Sequence, residues 1–252
     1  MPQHLIILTG ASRGMGLAMA HQLLHPGNTL LCISRTANPL LAREAANTGA
    51  TLLQWEQDLA HAEQAAQRLR DWLQGSLAEH FASATLINNA GVMPPIAPLS
   101  ASVPGDLAVA LRVGLEAPML LCASFLGATE GWNLPRKVLN ISSGLGRRPM
   151  ASQAAYCAAK AGMDHFTRCM ALDEERKPHG ARVCSLAPGV IDTDMQLQLR
   201  SAHPDAFPDV QNFAQLQRGG MLSSAHDAAT RVLAWLERPE FGAQAVADVR
   251  DA

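Results

Sequence analysis

Seven short apolar runs, near residues 4–9, 29–34, 51–56, 85–88, 136–142, 182–187 and 244–249, alternate with longer amphipathic stretches along this chain. Short runs rich in Leu, Ile and Val are the pattern of strands buried on both faces. Strand and helix in strict alternation force a parallel sheet, because each crossover is right-handed and lays its helix on a sheet face. The expectation is an α/β fold: a Rossmann-type, doubly wound, seven-stranded parallel sheet with helices on both faces. Such sheets bind ligands outside the carboxyl ends of their strands. Residues 1–252 can share one core and read as a single domain. The stretch 192–220 carries Pro204, Pro208, Gly219 and Gly220 among polar residues and is long for a connection. It reads as a lid over the site.

Charge narrows the partners. Twenty Lys and Arg against 22 Asp and Glu leave a net charge of −2, so no basic patch is expected to recruit nucleic acid or an anionic membrane. The longest apolar stretch, around Pro118 to Ala128, is broken by Ser124 and Gly127 and is shorter than the ~20 residues of a membrane helix. The apolar start Leu5-Ile6-Ile7-Leu8 is too short for a signal-peptide core and runs into a glycine turn. Five scattered cysteines (Cys32, Cys122, Cys157, Cys169, Cys184), never spaced C-x-x-C, argue against a disulfide framework and a zinc site. A reducing, cytoplasmic location is expected. His21 and His25 share an expected helix face without a third ligand, so no metal is expected.

The segment Thr9-Gly10-Ala11-Ser12-Arg13-Gly14-Met15-Gly16 lies between the first strand and a helix whose apolar positions Leu17, Ala20, Leu23 and Leu24 share one face. Glycines there let backbone approach a pyrophosphate, and the positive end of the helix stabilises its charge. The second strand ends Ile33-Ser34-Arg35-Thr36, where an NAD site would carry a carboxylate for the ribose 2′-hydroxyl. With Arg35 and Arg13 able to grip a 2′-phosphate, the expected cofactor is NADP(H). After the third strand, Asp58, followed by Leu59, is placed either to accept from the adenine amino group or to cap a helix over residues 60–73.

Tyr156 is the sole tyrosine, and Lys160, one of three lysines, follows four positions later on the same helix face. An adjacent ammonium stabilises a phenolate and so brings a tyrosine into the range of acid–base work. Ser143, just past the apolar strand Val138-Leu139-Asn140-Ile141, can offer a hydroxyl to a carbonyl oxygen at the same strand end.

Together, Thr9-Gly-x-x-x-Gly14-x-Gly16, Asn88-Asn89-Ala90-Gly91, Ser143, Tyr156-x-x-x-Lys160 and Pro188-Gly189-Val190-Ile191-Asp192-Thr193 resemble the short-chain dehydrogenase/reductase family over the whole chain. Ala117-Pro118-Met119, Asn140-Ile141-Ser142-Ser143-Gly144, Ala155-Tyr156-Cys157 and Ala187-Pro188-Gly189-Val190 are similar to its branch of bacterial benzil reductases and sepiapterin reductases. The resemblance implies that Tyr156 protonates a substrate carbonyl as hydride arrives from NADPH, that Ser143 orients it, and that Lys160 lowers the tyrosine pKa and binds the nicotinamide ribose. It implies Asn89, Ala90 and Gly91 on the adenosine side, and Pro188, Gly189, Ile191 and Thr193 around the carboxamide. It also implies a homodimer or homotetramer, and Leu107 to Phe125 and Ala155 to Met170 carry more apolar positions than one sheet-facing stripe needs.

The chain departs from the family at Val113-Gly114-Leu115-Glu116-Ala117-Pro118, where the pattern V-N-x-x-x-P would place an asparagine at Gly114. Either water rebuilds the proton relay in the vacated space or turnover suffers, and a catalytically weak NADP-binding sensor is then an alternative reading. Met93 to Pro98, Leu145 to Met150 (with Arg147 and Arg148 nearby) and the lid from Met195 form an apolar substrate wall. It suits a small hydrophobic or aromatic ketone or diketone. Asp248 matches in position the acid that sepiapterin reductases set on the pterin ring, which keeps a pterin substrate open.

Overall fold

The computed structural model describes residues 3–76 and 78–251. Strands β1 (Gln3–Thr9), β2 (Asn28–Ser34), β3 (Thr51–Glu56), β4 (Phe81–Asn88), β5 (Arg136–Ile141), β6 (Arg182–Ala187) and β7 (Val246–Asp248) form one sheet in the order β3-β2-β1-β4-β5-β6-β7. Every pairing is parallel. The chain runs outward from β1 to β3, then crosses back to β4, so a crevice opens between the ends of β1 and β4.

Side chains alternate across the sheet as pleated strands require. Ile6 and Leu8 of β1 face a core shared with helices α1 (Gly14–Leu23), α2 (Pro39–Thr48) and α9 (Ala225–Leu236). Leu5 and Ile7 face the other core, built on α3 (Ala62–Gln74), α5 (Ala117–Ala128) and α6 (Ala154–Glu175). The expected architecture is therefore present, with shifts in detail. β7 has three residues, not six. The buried face of α1 is Met15, Gly16, Met19 and Ala20, with Leu17 and Leu23 only half buried. That helix ends at Leu23, so His25 lies beyond it, and His21 pairs with Glu44 of α2.

Helix α4 (Pro104–Leu111) runs into α5 through one wide π turn, Arg112–Glu116. Pro118 explains the turn. A proline inside a helix has no N–H for the carbonyl four residues earlier, and its ring clashes with that carbonyl; here the carbonyl is that of Gly114. Inserting one residue relieves the clash, and Ala117 donates to Arg112 in the wider i to i−5 pattern. The joined helix Pro104–Ala128 has the length and apolarity of a bilayer span, contrary to the shorter stretch read from sequence. Its inner face is core, with Ala117, Leu121 and Phe125 fully buried against the sheet layer.

The stretch 192–220 is less irregular than its prolines suggest. It folds into α7 (Asp194–Arg200) and α8 (Val210–Arg218) over a small third core of Met93, Tyr156, Leu199, Phe207, Val210 and Phe213. The cap is tied down by Gln198 Nε2 donating to Pro94 O at 3.1 Å and by Ser152 donating to Ala206 O.

Candidate active site

At the β1 end, Gly10 and Gly14 adopt φ of +72° and +56°, conformations that favour glycine. A Cβ on Gly16 would lie 2.0 Å from Gly10 O and 2.5 Å from Asn89 Nδ2, so only glycine fits this crossing of backbone. The crevice is clasped from the β4 side: Thr9 Oγ1 accepts from Asn89 N at 2.9 Å and Ala90 N at 3.0 Å, and Asn89 Nδ2 donates to Thr9 O at 3.0 Å. Helix α1 opens on this crevice with no side-chain cap, which leaves its first N–H groups for an anion. A cradle whose backbone approaches closely at Gly10 and Gly16, backed by an uncapped helix, fits the pyrophosphate of a dinucleotide.

Arg35 is exposed at the end of β2 and makes no ion pair among the described residues. Arg13 lines the cavity as well, and its exposed Nη1 pairs at 2.9 Å with Asp194 at the start of α7, linking the glycine turn to the cap. Asp58 Oδ1 accepts from Ala60 N at 2.9 Å in a turn before α3, whose first residue is Ala62, so Asp58 does not cap that helix.

At the β5 end, Tyr156 and Lys160 lie one turn apart on α6, 9% and 4% exposed. Lys160 Nζ donates to Ile141 O at 2.7 Å and stands 5.8 Å from the tyrosine ring centre. Ser143 accepts from Leu145 N at 3.2 Å and faces the phenol. Beneath them, Asn88 Nδ2 donates to Asn140 Oδ1 at 2.9 Å, and Asn140 Nδ2 to Thr167 Oγ1 at 2.9 Å. This buried chain fixes β4, β5 and α6 to one another.

The electrostatics correct one expectation. Burial pushes the Tyr156 phenol up to about 12, against a pull downward from Ser143. Burial also draws the Lys160 ammonium down to about 8. Desolvation thus dominates both groups, and the lysine does not bring the tyrosine below its ordinary value.

Both ends open into one cavity of about 1200 Å³. The expected cofactor and catalytic residues line it, with Ser12, Met15, Arg35, Asp58, Leu59, Gly91, Pro188, Gly189, Ile191 and Thr193 along the cradle end and Ser143, Tyr156 and Lys160 beyond; Met93, Leu145, Met150, Met195 and Asp248 form part of the remaining wall, whereas Pro94 to Pro98, Gly146, Arg147 and Pro149 do not line it. Val113, which no motif marked as a wall residue, lines it too, as do Gln196, Phe213 and Leu216 within the expected lid. The last three stand on α7 and α8, helices hidden by the prolines around them. The Asp248 carboxylate is already gripped by Arg250 Nε at 2.8 Å and Nη2 at 2.6 Å. Nor is there vacated space at Gly114: a Cβ there would stand 3.0 Å from Ala159 Cβ. The π turn and α6 pack closely at the position where an asparagine would sit.

The sheet order, glycine cradle and Ser–Tyr–Lys cluster define a dinucleotide-dependent oxidoreductase, and comparison with known proteins agrees. A family model described as short chain dehydrogenase matches residues 4–204, and the chain belongs to that family. It is 33% identical to benzil reductase ((S)-benzoin forming) of Bacillus cereus, over 94% of this chain and 95% of that protein. It is 34% identical to sepiapterin reductase of Xenopus tropicalis, over 94% of this chain and 92% of that one. A solved structure described as a putative NAD(P)-dependent gluconate 5-dehydrogenase from Beutenbergia cavernae, with bound NADP, superposes with a TM-score of 0.81 at 26% identity, covering 99% of this chain and 96% of that one.

Proposed function

We propose that the protein is an NADPH-dependent carbonyl reductase for a small hydrophobic or aromatic ketone or diketone, with Tyr156 as general acid. The observation that carries this reading is the sharing of one cavity by the glycine cradle with Arg35 and by the Ser143, Tyr156 and Lys160 cluster set against an apolar wall. The resemblance to benzil reductases supports the substrate class.

Bound NADPH supplies the hydride. The cradle and Arg35 hold it, Arg35 by charge-assisted hydrogen bonds to a 2′-phosphate. Ser143 donates to the substrate carbonyl, and Tyr156 gives its proton to the oxygen as negative charge develops there. The high pKa of Tyr156 suits this direction, since the phenol is fully protonated at neutral pH. Met93, Met150, Met195 and Phe213 exclude water from the reacting carbon. Lys160 must be cationic to stabilise the phenolate left behind, and its pKa near 8 places the alkaline limb of reduction there. Activity falls as pH rises through that value.

Pterin side-chain reduction would use Asp248, which lines the cavity, but its carboxylate would first have to leave Arg250. The sensor reading has Gly114 alone for support. NADPH consumption with benzil, other diketones and sepiapterin separates the three: turnover of diketones well above sepiapterin is expected. Preference for sepiapterin would favour the pterin reading, and binding of NADPH without turnover of any carbonyl would favour the sensor.

A further inference from the structure

The turn of α6 that follows Lys160 carries a second buried charge. Asp164 lies four residues on, on the same face, and is 2% exposed. Its carboxylate accepts from Ser185 Oγ of β6 at 2.7 Å and from Arg147 Nε at 3.4 Å. Arg147 is itself anchored, donating through Nη2 to Ala247 O at 2.7 Å, with Nη1 4.0 Å from Asp248. The loop bearing Arg147 presses on the helix at this point. A Cβ on Gly146 would stand 2.9 Å from Lys160 O and 3.0 Å from Asp164 Oδ2. Charges packed this way, away from solvent, act on each other far more strongly than a surface pair.

Lys160 has a neutral hydrogen-bond partner in Ile141 O, and Asp164 is the charge that opposes the effect of burial on it. The surrounding titratable groups do not substitute for it. Tyr156 and Cys157 on α6 and Cys184 on β6 are held neutral by burial, Arg147 and Arg148 are cations, and the Asp248 carboxylate is paired with Arg250.

We propose that Asp164, held between Ser185 and Arg147, is a positioning residue that keeps the Lys160 ammonium charged and in place beside Tyr156. Asp164 does not line the cavity and acts on the reaction only through Lys160. The proposal rests on the reading of Tyr156 and Lys160 as the proton-donating pair, but its test does not depend on turnover.

The chain has three lysines, Lys137, Lys160 and Lys177, so 13Cε-lysine labelling of the full protein gives three resonances. In the unaltered protein the Lys160 resonance should titrate near 8. Asp164→Asn should lower that midpoint by about one pH unit, a roughly ten-fold loss of proton affinity. Arg147→Gln removes a cation from the same cluster and should raise it. Asp164→Glu should restore the midpoint to within a few tenths of a unit. Lys137 and Lys177 serve as internal controls for folding, and if Asp164→Asn does not fold, the Arg147→Gln shift decides. The alkaline limb of kcat/KM should move with the Lys160 midpoint. A midpoint unchanged by the folded Asp164→Asn variant, or by Arg147→Gln, overturns the proposal, as does a shift of both variants in one direction. If the midpoints move as stated while no carbonyl is reduced, the network stands and the reductase reading fails.

Discussion

The β1 end of the cavity is shaped by backbone and the β5 end by side chains. At Gly10 and Gly16 the constraint is steric, a methyl group at position 16 colliding with Gly10 O at 2.0 Å, and at Gly14 it is a left-handed backbone. Around Tyr156 and Lys160 the constraint is electrostatic: burial holds the tyrosine in its protonated form but works against the lysine's charge, which Asp164 opposes. A backbone site tolerates few residues and discriminates weakly among dinucleotides, so cofactor choice must come from a side chain at its edge. A side-chain site can be silenced by one atom.

That difference gives graded tests. Tyr156→Phe removes one oxygen while retaining the ring packed against Met93 and Phe213. It should lower kcat by roughly 10²–10⁴-fold and leave NADPH affinity within a few-fold, measured by steady-state kinetics and fluorescence titration. Retention of more than about a tenth of the activity would remove Tyr156 from the role of proton donor. Arg35→Asp addresses the edge of the backbone site. Losing one or two charge-assisted contacts worth about 1.5–3 kcal/mol each should reduce kcat/KM for NADPH by roughly ten- to several-hundred-fold. NADH should lose far less, and equal use of both cofactors by the unaltered protein would contradict the assignment. Met195→Ala trims the half-buried cap wall. About 1 kcal/mol of apolar contact, or about a five-fold loss in kcat/KM for a hydrophobic ketone, is expected with cofactor affinity unchanged. A larger fall in affinity for NADPH would mean the cap covers the cofactor and not the substrate.

The same contrast explains what could be read from sequence. The cradle was legible because only glycine meets its demands, and Tyr156 and Lys160 because each is scarce in this chain. The seven strands were legible from unbroken apolar runs, with β7 overextended because only Val246–Asp248 pair with β6. A lid over 192–220 was legible from its length, but its helices α7 and α8 were not, since the prolines obscure two short helices packed around Phe207. The pairing of Arg13 with Asp194 joins residues far apart in the chain and has no local signature. Asp164 is different: it obeys the same four-residue spacing from Lys160 that drew attention to Tyr156, and was overlooked because an acid on a long helix usually faces water. The close approach of α6 at Gly114, within the π turn Arg112–Glu116, has no signature in the residue change itself.

The account stands or falls on the charge state of the one tyrosine. With 13Cζ-tyrosine labelling, the protein gives a single resonance whose shift distinguishes phenol from phenolate. A neutral, buried proton donor predicts that the Tyr156 signal remains that of a phenol at pH 9.5 and titrates near 12. A midpoint below the ordinary tyrosine value of about 10 would show that Lys160 outweighs desolvation, and would contradict the claim that this end of the cavity keeps Tyr156 protonated for reduction.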